Sequence, residues 1–346
     1  MKRLIDNLYK GEGAELSALT ALLSGFDDEI RSYAAKKAVD ARSETYGNKV
    51  YLRGLIEIGN VCKNDCFYCG IRKSNKNVSR YSLSADEILS ACEKGYKLGF
   101  STFVLQGGEV DNDEEMVKTV GRIKALYPAC AVTLSLGEKS RDTYKRYKDA
   151  GADRYLLRHE TCNKEHYGKI HPDSLSYDNR IRCLYDLKDL GFQVGCGFMV
   201  GSPYQTDEHL ASELLFIKEF KPHMVGIGPF LPHKDTPFNS FGAGSVEKTL
   251  MMLSLIRIMN KNVLLPATTA LATALGDGRI EGIRAGANVV MPNLSPSSVR
   301  DKYTLYDNKV HSGAESAEGL EMLRKCVKEA GCTIDMGRGD SLVKGE

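Results

Sequence analysis

Residues 50–75 read VYLRGLIEIGNVCKNDCFYCGIRKSN, an apolar run that ends in three cysteines within eight residues. The run at 50–58 has the length and content of a buried strand. Cys62, Cys66 and Cys69 follow it directly, on a loop at its C-terminal end. Their spacing is C-x3-C-x2-C. Thiolates held this closely can ligate three irons of a cubane iron–sulfur cluster, which leaves the fourth iron an open position. The alternative is structural zinc, but such sites are normally four-coordinate and closed. The nearest further ligands, His159 and Cys92, lack finger-like spacing.

Outward from this loop, short apolar runs alternate with amphipathic stretches. Strands are expected at 50–58, 102–106, 131–136, 154–158, 193–200, 224–229, 262–267 and 288–291. Helices are expected near 84–98, 112–126, 140–150, 176–190, 206–220, 245–260 and 277–285. Gly99, Gly151, Gly191 and Gly286 fall where helix ends are due. An open doubly wound sheet is the alternative, but eight consecutive strand–helix units favour a (β/α)8 TIM barrel. The triad then sits at the C-terminal face, where barrel enzymes place their chemistry. Residues 1–45 read as an N-terminal helical layer, 46–300 as the barrel, and 301–346 as an extension with one helix and a flexible, Gly-rich tail.

Lys and Arg total 47 against 45 Asp and Glu, so no general nucleic-acid or membrane-surface role is indicated. The N-terminus lacks the apolar run of a signal peptide, and no stretch approaches the ~18 apolar residues of a membrane span. A cytoplasmic, soluble protein is expected. Ten cysteines are unlikely to form a disulfide framework in a reducing compartment.

The C-x3-C-x-aromatic-C arrangement, with Tyr68 before the last cysteine, resembles the radical S-adenosylmethionine (SAM) superfamily. That resemblance implies one [4Fe–4S] cluster on the triad, with SAM chelated at the open iron and cleaved to the 5′-deoxyadenosyl radical. It places Tyr68 near the adenine. Gln106-Gly107-Gly108-Glu109, after the second strand, is similar to the family's GGE motif, whose backbone binds the amino end of the methionine moiety; a glycine pair also allows close approach. Resemblance further assigns Ser135, Glu160 and Arg180 to SAM, with Glu160 at the ribose hydroxyls and Arg180 at the carboxylate. An internal Arg–Glu network is the alternative for these two. The fifth strand, from Val194 to Pro203 and including Met199, is similar to the adenine-binding strand of biotin-synthase-like members; its glycines otherwise relieve barrel crowding. Strand alternation turns His159 away from Glu160, as a structural histidine.

Residues 60–76, YLLRHETCN (155–163), MVGIGPFLPHKDTP (224–237) and PATTALAT (266–273) together resemble the HydE family of FeFe-hydrogenase maturases. The similarity covers about residues 30–308. It implies a cavity with SAM above a small organometallic iron species bearing carbon monoxide, cyanide and cysteine. Arg154 and Arg158, four apart on one strand, point to one face and suit an anion, unless they pair with Asp153 or Glu160. Thr268 and Thr269 offer donors at a strand end. Met224, Met291, Tyr303 and Tyr306 supply an apolar wall or ordinary core. Many members carry a second cluster, yet the matching stretch at 309–319, KVHSGAESAEG, has no cysteine, so one cluster is expected. Cys326 and Cys332 read as helix-face and helix-end residues. A ferredoxin- or flavodoxin-like electron donor and other hydrogenase maturation proteins are the implied partners. Two alternatives stand: a carbon-skeleton enzyme of the methylornithine synthase or biotin-synthase-like type, and a non-catalytic iron–sulfur carrier or scaffold. A carrier has no use for the residues assigned to SAM.

Overall fold

A computed structural model describes residues 1–311 and 313–343; Ser312, within the cysteine-free stretch, and residues 344–346 at the end of the expected tail lie outside the described residues. Three helices come first: α1 (Lys2–Tyr9), α2 (Leu16–Gly25) and α3 (Asp28–Tyr46). Asp27 starts α3 by accepting from the Ile30 N–H at 2.8 Å, which satisfies one of the unpaired donors at a helix start. Next come β1 (Lys49–Leu52), β2 (Gly54–Gly59), α4 (Ala85–Lys97), β3 (Thr102–Gly107), α5 (Asp113–Leu126), β4 (Ala131–Ser135) and α6 (Arg141–Asp149). They are followed by β5 (Arg154–Leu156), α7 (Lys164–Ile170), α8 (Tyr177–Asp189), β6 (Gln193–Val200), α9 (Asp207–Phe220), β7 (Met224–Pro229) and α10 (Val246–Met259). The series closes with α11 (Thr269–Ala274), α12 (Gly278–Arg284), β8 (Val289–Val290), α13 (Leu320–Glu329) and β9 (Thr333–Asp335).

Helix starts follow local chemistry. Ser84 and Glu87 form a reciprocal capping box on α4, and Thr206 caps α9 with His209, each stabilising by about 1 kcal/mol. The four glycines expected at helix ends all have positive φ, from +75° at Gly191 to +104° at Gly151. α10 is buried on nearly every face, from Thr249 to Ile258, because α3 and α1 cover the side that the barrel does not.

Strands β2 to β7 form a parallel sheet in sequence order. The expected first strand is split at Arg53: β1 pairs with β8 and β9, whereas β2 pairs with β3. The expected seventh strand, 262–267, pairs at only two points, Leu264 with Met224 and Pro266 with Val289. Pro266 has no N–H to give to a ladder. Backbone bonds nevertheless cross it, from Val225 N to Leu264 O at 3.0 Å and from Ala267 N to Val289 O at 2.9 Å. Leu55 N then donates to Pro292 O at 3.0 Å. This closes a TIM-barrel-like α/β fold, as the sequence implied, with the cysteine loop rising from the C-terminal end of β2.

The stretch expected to be a flexible tail is packed through Val343. β9 adds to β1 in parallel, and the chain then runs across the N-terminal mouth of the barrel. Arg53 donates to Gly339 O at 3.2 Å, Arg154 pairs with Asp340 at 2.5 Å, and Arg338 pairs with Asp153 at 2.9 Å. Among the described residues no helix is long and apolar enough to cross a membrane.

Candidate active site at the barrel mouth

The cysteine loop is pinned from within. Arg80 donates to four of its carbonyls, those of Asn60, Ile71, Arg72 and Asn75, at 2.6–3.1 Å. Asp65 accepts from Arg72 Nε at 2.7 Å, Ser74 N at 3.0 Å and Ser74 Oγ at 2.6 Å. Arg72 and these donors hold its carboxyl well below the usual carboxylate range. Cys62, Cys66 and Cys69 all face one cavity of about 280 Å³. Burial pushes each thiol up, Cys66 to about 12, with Arg180 opposing the shift there. Thiolates at this depth therefore need a cationic partner, which bound iron would provide.

Opposite the loop, β3 ends in Gly107, and Gly108 follows with its N–H on Gly59 O at 3.1 Å. A Cβ on Gly108 would stand 2.1 Å from Val61 O and 2.9 Å from Cys62 Cβ. The glycine is therefore required by the passage of the cysteine loop. Glu109 is buried; it accepts the Glu138 N–H at 3.0 Å, and its own carbonyl accepts the Lys63 N–H at 2.8 Å. Burial raises its pKa, against the pull of Arg180.

Charged groups from the segments after β4 and β5 and from α8 converge below. Arg180, on α8, has Nε 2.8 Å from Glu138 Oε1, and Arg158 Nη2 lies 3.2 Å from Glu160 Oε2. These distances give charge pairing. The same four atoms are nonetheless buried and out of line for hydrogen bonds. Buried charged atoms without hydrogen bonds are costly, and a polar ligand is the usual remedy. Glu160 adds a second mark of a functional position, a backbone φ of +65°, in a region that costs a non-glycine residue about 1–3 kcal/mol.

The structure brings most of the singled-out residues to this cavity. Its wall includes the three cysteines, Tyr68, Gln106, Gly107, Gly108, Glu109, Ser135, Glu160, Arg180, Met199, Arg158, Thr268, Tyr303 and Tyr306. Tyr68 OH lies 3.1 Å from His171 Nε2, and Gln106 Nε2 donates to Tyr303 OH at 3.3 Å. Thr268 caps α11 and donates to Ile227 O at 3.2 Å.

Four residues stand elsewhere. Arg154 and Met224 line a separate small cavity at the opposite mouth, with Arg53 and His223. Met291 packs in an apolar layer with Met224, Leu156, Leu264 and Val289. Thr269 is the first residue of α11 and is absent from the cavity wall. The expected strand at 154–158 ends at Leu156, so Arg158 lies beyond it; four extended residues span about 13 Å, and the two arginines serve opposite ends of the barrel. Arg158 has the Glu160 partner weighed from sequence, whereas Arg154 pairs with Asp340 rather than Asp153. Gly197 has its own reason to be small, since a Cβ would lie 2.0 Å from Gly226 O. That is barrel crowding. Sequence reading also passed over Glu138, the partner of Arg180, and the wall residues Asn64, Leu157 and Leu305. Glu138, an acid three residues past Ser135 at the end of β4, carried a usable signal.

This donor set fits a [4Fe–4S] cluster and SAM, the cofactors implied by the superfamily. Three thiols on one loop open onto a cavity that also carries carboxylate and guanidinium atoms paired by charge but without hydrogen bonds. Among the described residues no three His, Cys, Asp or Glu side chains are placed to hold a single metal ion, so the triad is not laid out as a closed zinc site. Residues 56–217 match the radical SAM superfamily, and fold, triad and cavity together define a radical SAM enzyme. The chain is 45% identical to the [FeFe] hydrogenase maturase subunit HydE of Thermotoga maritima over 314 residues, 89% of this chain and 88% of that one. It belongs to the HydE family. It is also similar to 3-methylornithine synthase of Methanosarcina acetivorans, 28% identical over 85% of this chain and 82% of that one. A crystal structure of methylornithine synthase (PylB) superposes with a TM-score of 0.85 at 26% identity, covering 96% and 97% of the two chains.

Proposed function

We propose that the protein serves [FeFe]-hydrogenase maturation by radical chemistry on a small iron species carrying carbon monoxide, cyanide and cysteine ligands. One observation carries this reading. The triad, the buried atoms of Arg158, Glu160 and Arg180 that lack hydrogen bonds, and the tyrosines Tyr303 and Tyr306 all open onto the same cavity. When bound on Cys62, Cys66 and Cys69, a [4Fe–4S] cluster supplies the electron that splits SAM into methionine and the 5′-deoxyadenosyl radical.

The chain's own residues position and shield. The backbone from Gly107 to Glu109 receives the amino end of the methionine moiety, and Arg180 meets its carboxylate. Ser135 and Glu160 take the polar part of the nucleoside, while Tyr68 and Met199 flank the adenine. Arg158 holds an anionic substrate deeper in the barrel, where Thr268, Tyr303 and Tyr306 complete the wall and keep water out. The apolar layer around Leu156 forms a floor beneath them, and excluding water protects a radical from side reactions.

A single cluster is proposed. The described part of 309–319 is held by ion pairs instead of cysteines: Lys309 reaches the buried Glu57, and Arg279 clasps Glu315. The reductant is a small one-electron carrier, the partners include other hydrogenase maturation proteins, and a reducing cytoplasm suits ten free thiols.

Anaerobic reconstitution tests the proposal. About four irons per chain are expected for one cubane, with a reduced-state electron paramagnetic resonance signal that SAM perturbs. Bound zinc, or a cluster indifferent to SAM, would overturn it.

A further inference from the structure

The cysteine loop concentrates positive charge. Residues 60–80 hold five basic side chains (Lys63, Arg72, Lys73, Lys76 and Arg80) against one acid, Asp65, whereas the whole chain is only +2. Three of the five are engaged locally. Arg80 binds loop carbonyls, Arg72 pairs with Asp65, and Lys63 pairs with Asp111. Lys73 and Lys76 are exposed and make no ion pair among the described residues. Lys234, on the loop between β7 and α10, is in the same condition. Asn77 Nδ2 donates to Asp235 Oδ1 at 2.8 Å, which ties the two loops and brings Lys76 and Lys234 to one face.

An aromatic cluster bridges the same two loops. Phe67, between Cys66 and Cys69, stands 6.0 Å from Phe238, which stands 5.3 Å from Phe241. Tyr204 closes the group at 6.2 Å from Phe238 and 5.5 Å from Phe241. Its ring is carried on a left-handed residue, φ +65°, that is 53% exposed. The cluster thus begins inside the triad loop and ends at solvent. An aromatic centre with a charged rim is the anatomy of a steered protein contact.

We propose that Lys73, Lys76 and Lys234, around Tyr204 and Phe241, form the docking face for an acidic one-electron carrier protein. This rests on reading the triad as a cluster site. Unpaired lysines complement an acidic surface, and Lys73 and Lys76 lie on the very loop that holds the thiols. In the exchange the carrier is oxidised by one electron and the cluster reduced by one, with no bond made or broken.

The test uses the reconstituted protein, with an oxidised flavodoxin and, separately, an oxidised ferredoxin as binding probes. Between about 50 mM and about 500 mM salt, wild-type affinity for at least one carrier should fall about tenfold or more, because contacts between exposed charges are screened. The K73E/K76E/K234E variant should lose a similar factor at low salt. Its dithionite-driven formation of 5′-deoxyadenosine should match wild type, since a small reductant needs no docking face. The carrier that shows this behaviour identifies the partner. Salt-independent binding, or a variant that binds like wild type, overturns the docking face alone. Failure of dithionite-driven cleavage in wild type overturns the cluster reading, and the electron-carrier proposal with it.

Discussion

His159 Nε2 lies 2.7 Å from Glu213 Oε2, with both side chains fully buried. His159 Nδ1 accepts the Gly197 N–H at 3.3 Å, so Nε2 bears the proton and donates to the carboxylate. Glu213 Oε1 accepts the Cys162 N–H at 2.6 Å. The pair therefore grips the chain on both sides of Glu160, the strained residue that faces the cavity. His159 is structural, and its structure serves the site.

Glu213→Ala should lower stability by about 3–5 kcal/mol, the cost of breaking a buried pair, read in chemical unfolding. Glu213→Gln should cost less and still weaken SAM binding, because residue 160 loses its aim. In a Glu160→Gln background the further loss of SAM affinity should largely vanish. If Glu213→Gln lowers stability and leaves SAM affinity untouched, the clamp has no role in the site.

Gly108→Ala tests the fit between the GGE segment and the cysteine loop. Its new Cβ would press on Val61 O and Cys62 Cβ, and backbone cannot yield as a flexible side chain can. Iron content after reconstitution should drop well below the about four irons of a full cubane. Full iron loading with unchanged SAM affinity would show that the loop relaxes freely.

The tail should matter for stability and not for chemistry. Asp340→Ala strips the buried Arg154 of its carboxylate. The expected cost is about 1–3 kcal/mol, below the fully buried range because Asp340 is half-exposed. SAM cleavage should persist, since the tail lies across the opposite mouth. Loss of cleavage without loss of stability would contradict this division.

Acid should destabilise the protein well above the carboxylate range. Burial, with help from Arg180, lowers His171 to about 3, and burial, with Lys188 and Arg154, lowers His223 to about 4. The unfolded chain protonates these rings near pH 6.5 while the folded chain keeps them neutral. Stability is therefore intact above about pH 6.5 and should decline as pH falls toward 4 and then 3. Melting temperatures between pH 7.5 and 5 check the sign; a flat profile would refute it.

Much of this was legible from residue types and spacing. Three cysteines in eight positions after an apolar strand located the loop, and alternation of apolar runs with helical patches gave the barrel. Alternation also separated His159 from Glu160. What it could not supply was depth. Period two tells which face a residue takes and says nothing about how far along the barrel it sits, so it cannot separate Arg154 and Met224 from a cavity at the other end. The packing of the tail is hidden in the sequence for a related reason. A stretch such as MGRGD has no apolar period, and it is held by arginines that other segments bury. Arg180, on α8, is legible at the site, but its partner Glu138 comes from the loop after β4, and that pairing exists only once the barrel closes.

The most direct measurement is 5′-deoxyadenosine formation by the reconstituted protein with SAM and dithionite, with either the iron–carbonyl–cyanide–cysteine complex or lysine added. The account predicts that the iron complex stimulates cleavage and is itself consumed, while lysine does neither. Stimulation by lysine, with the iron complex left intact, would contradict the maturase reading and favour a methylornithine-synthase-like enzyme.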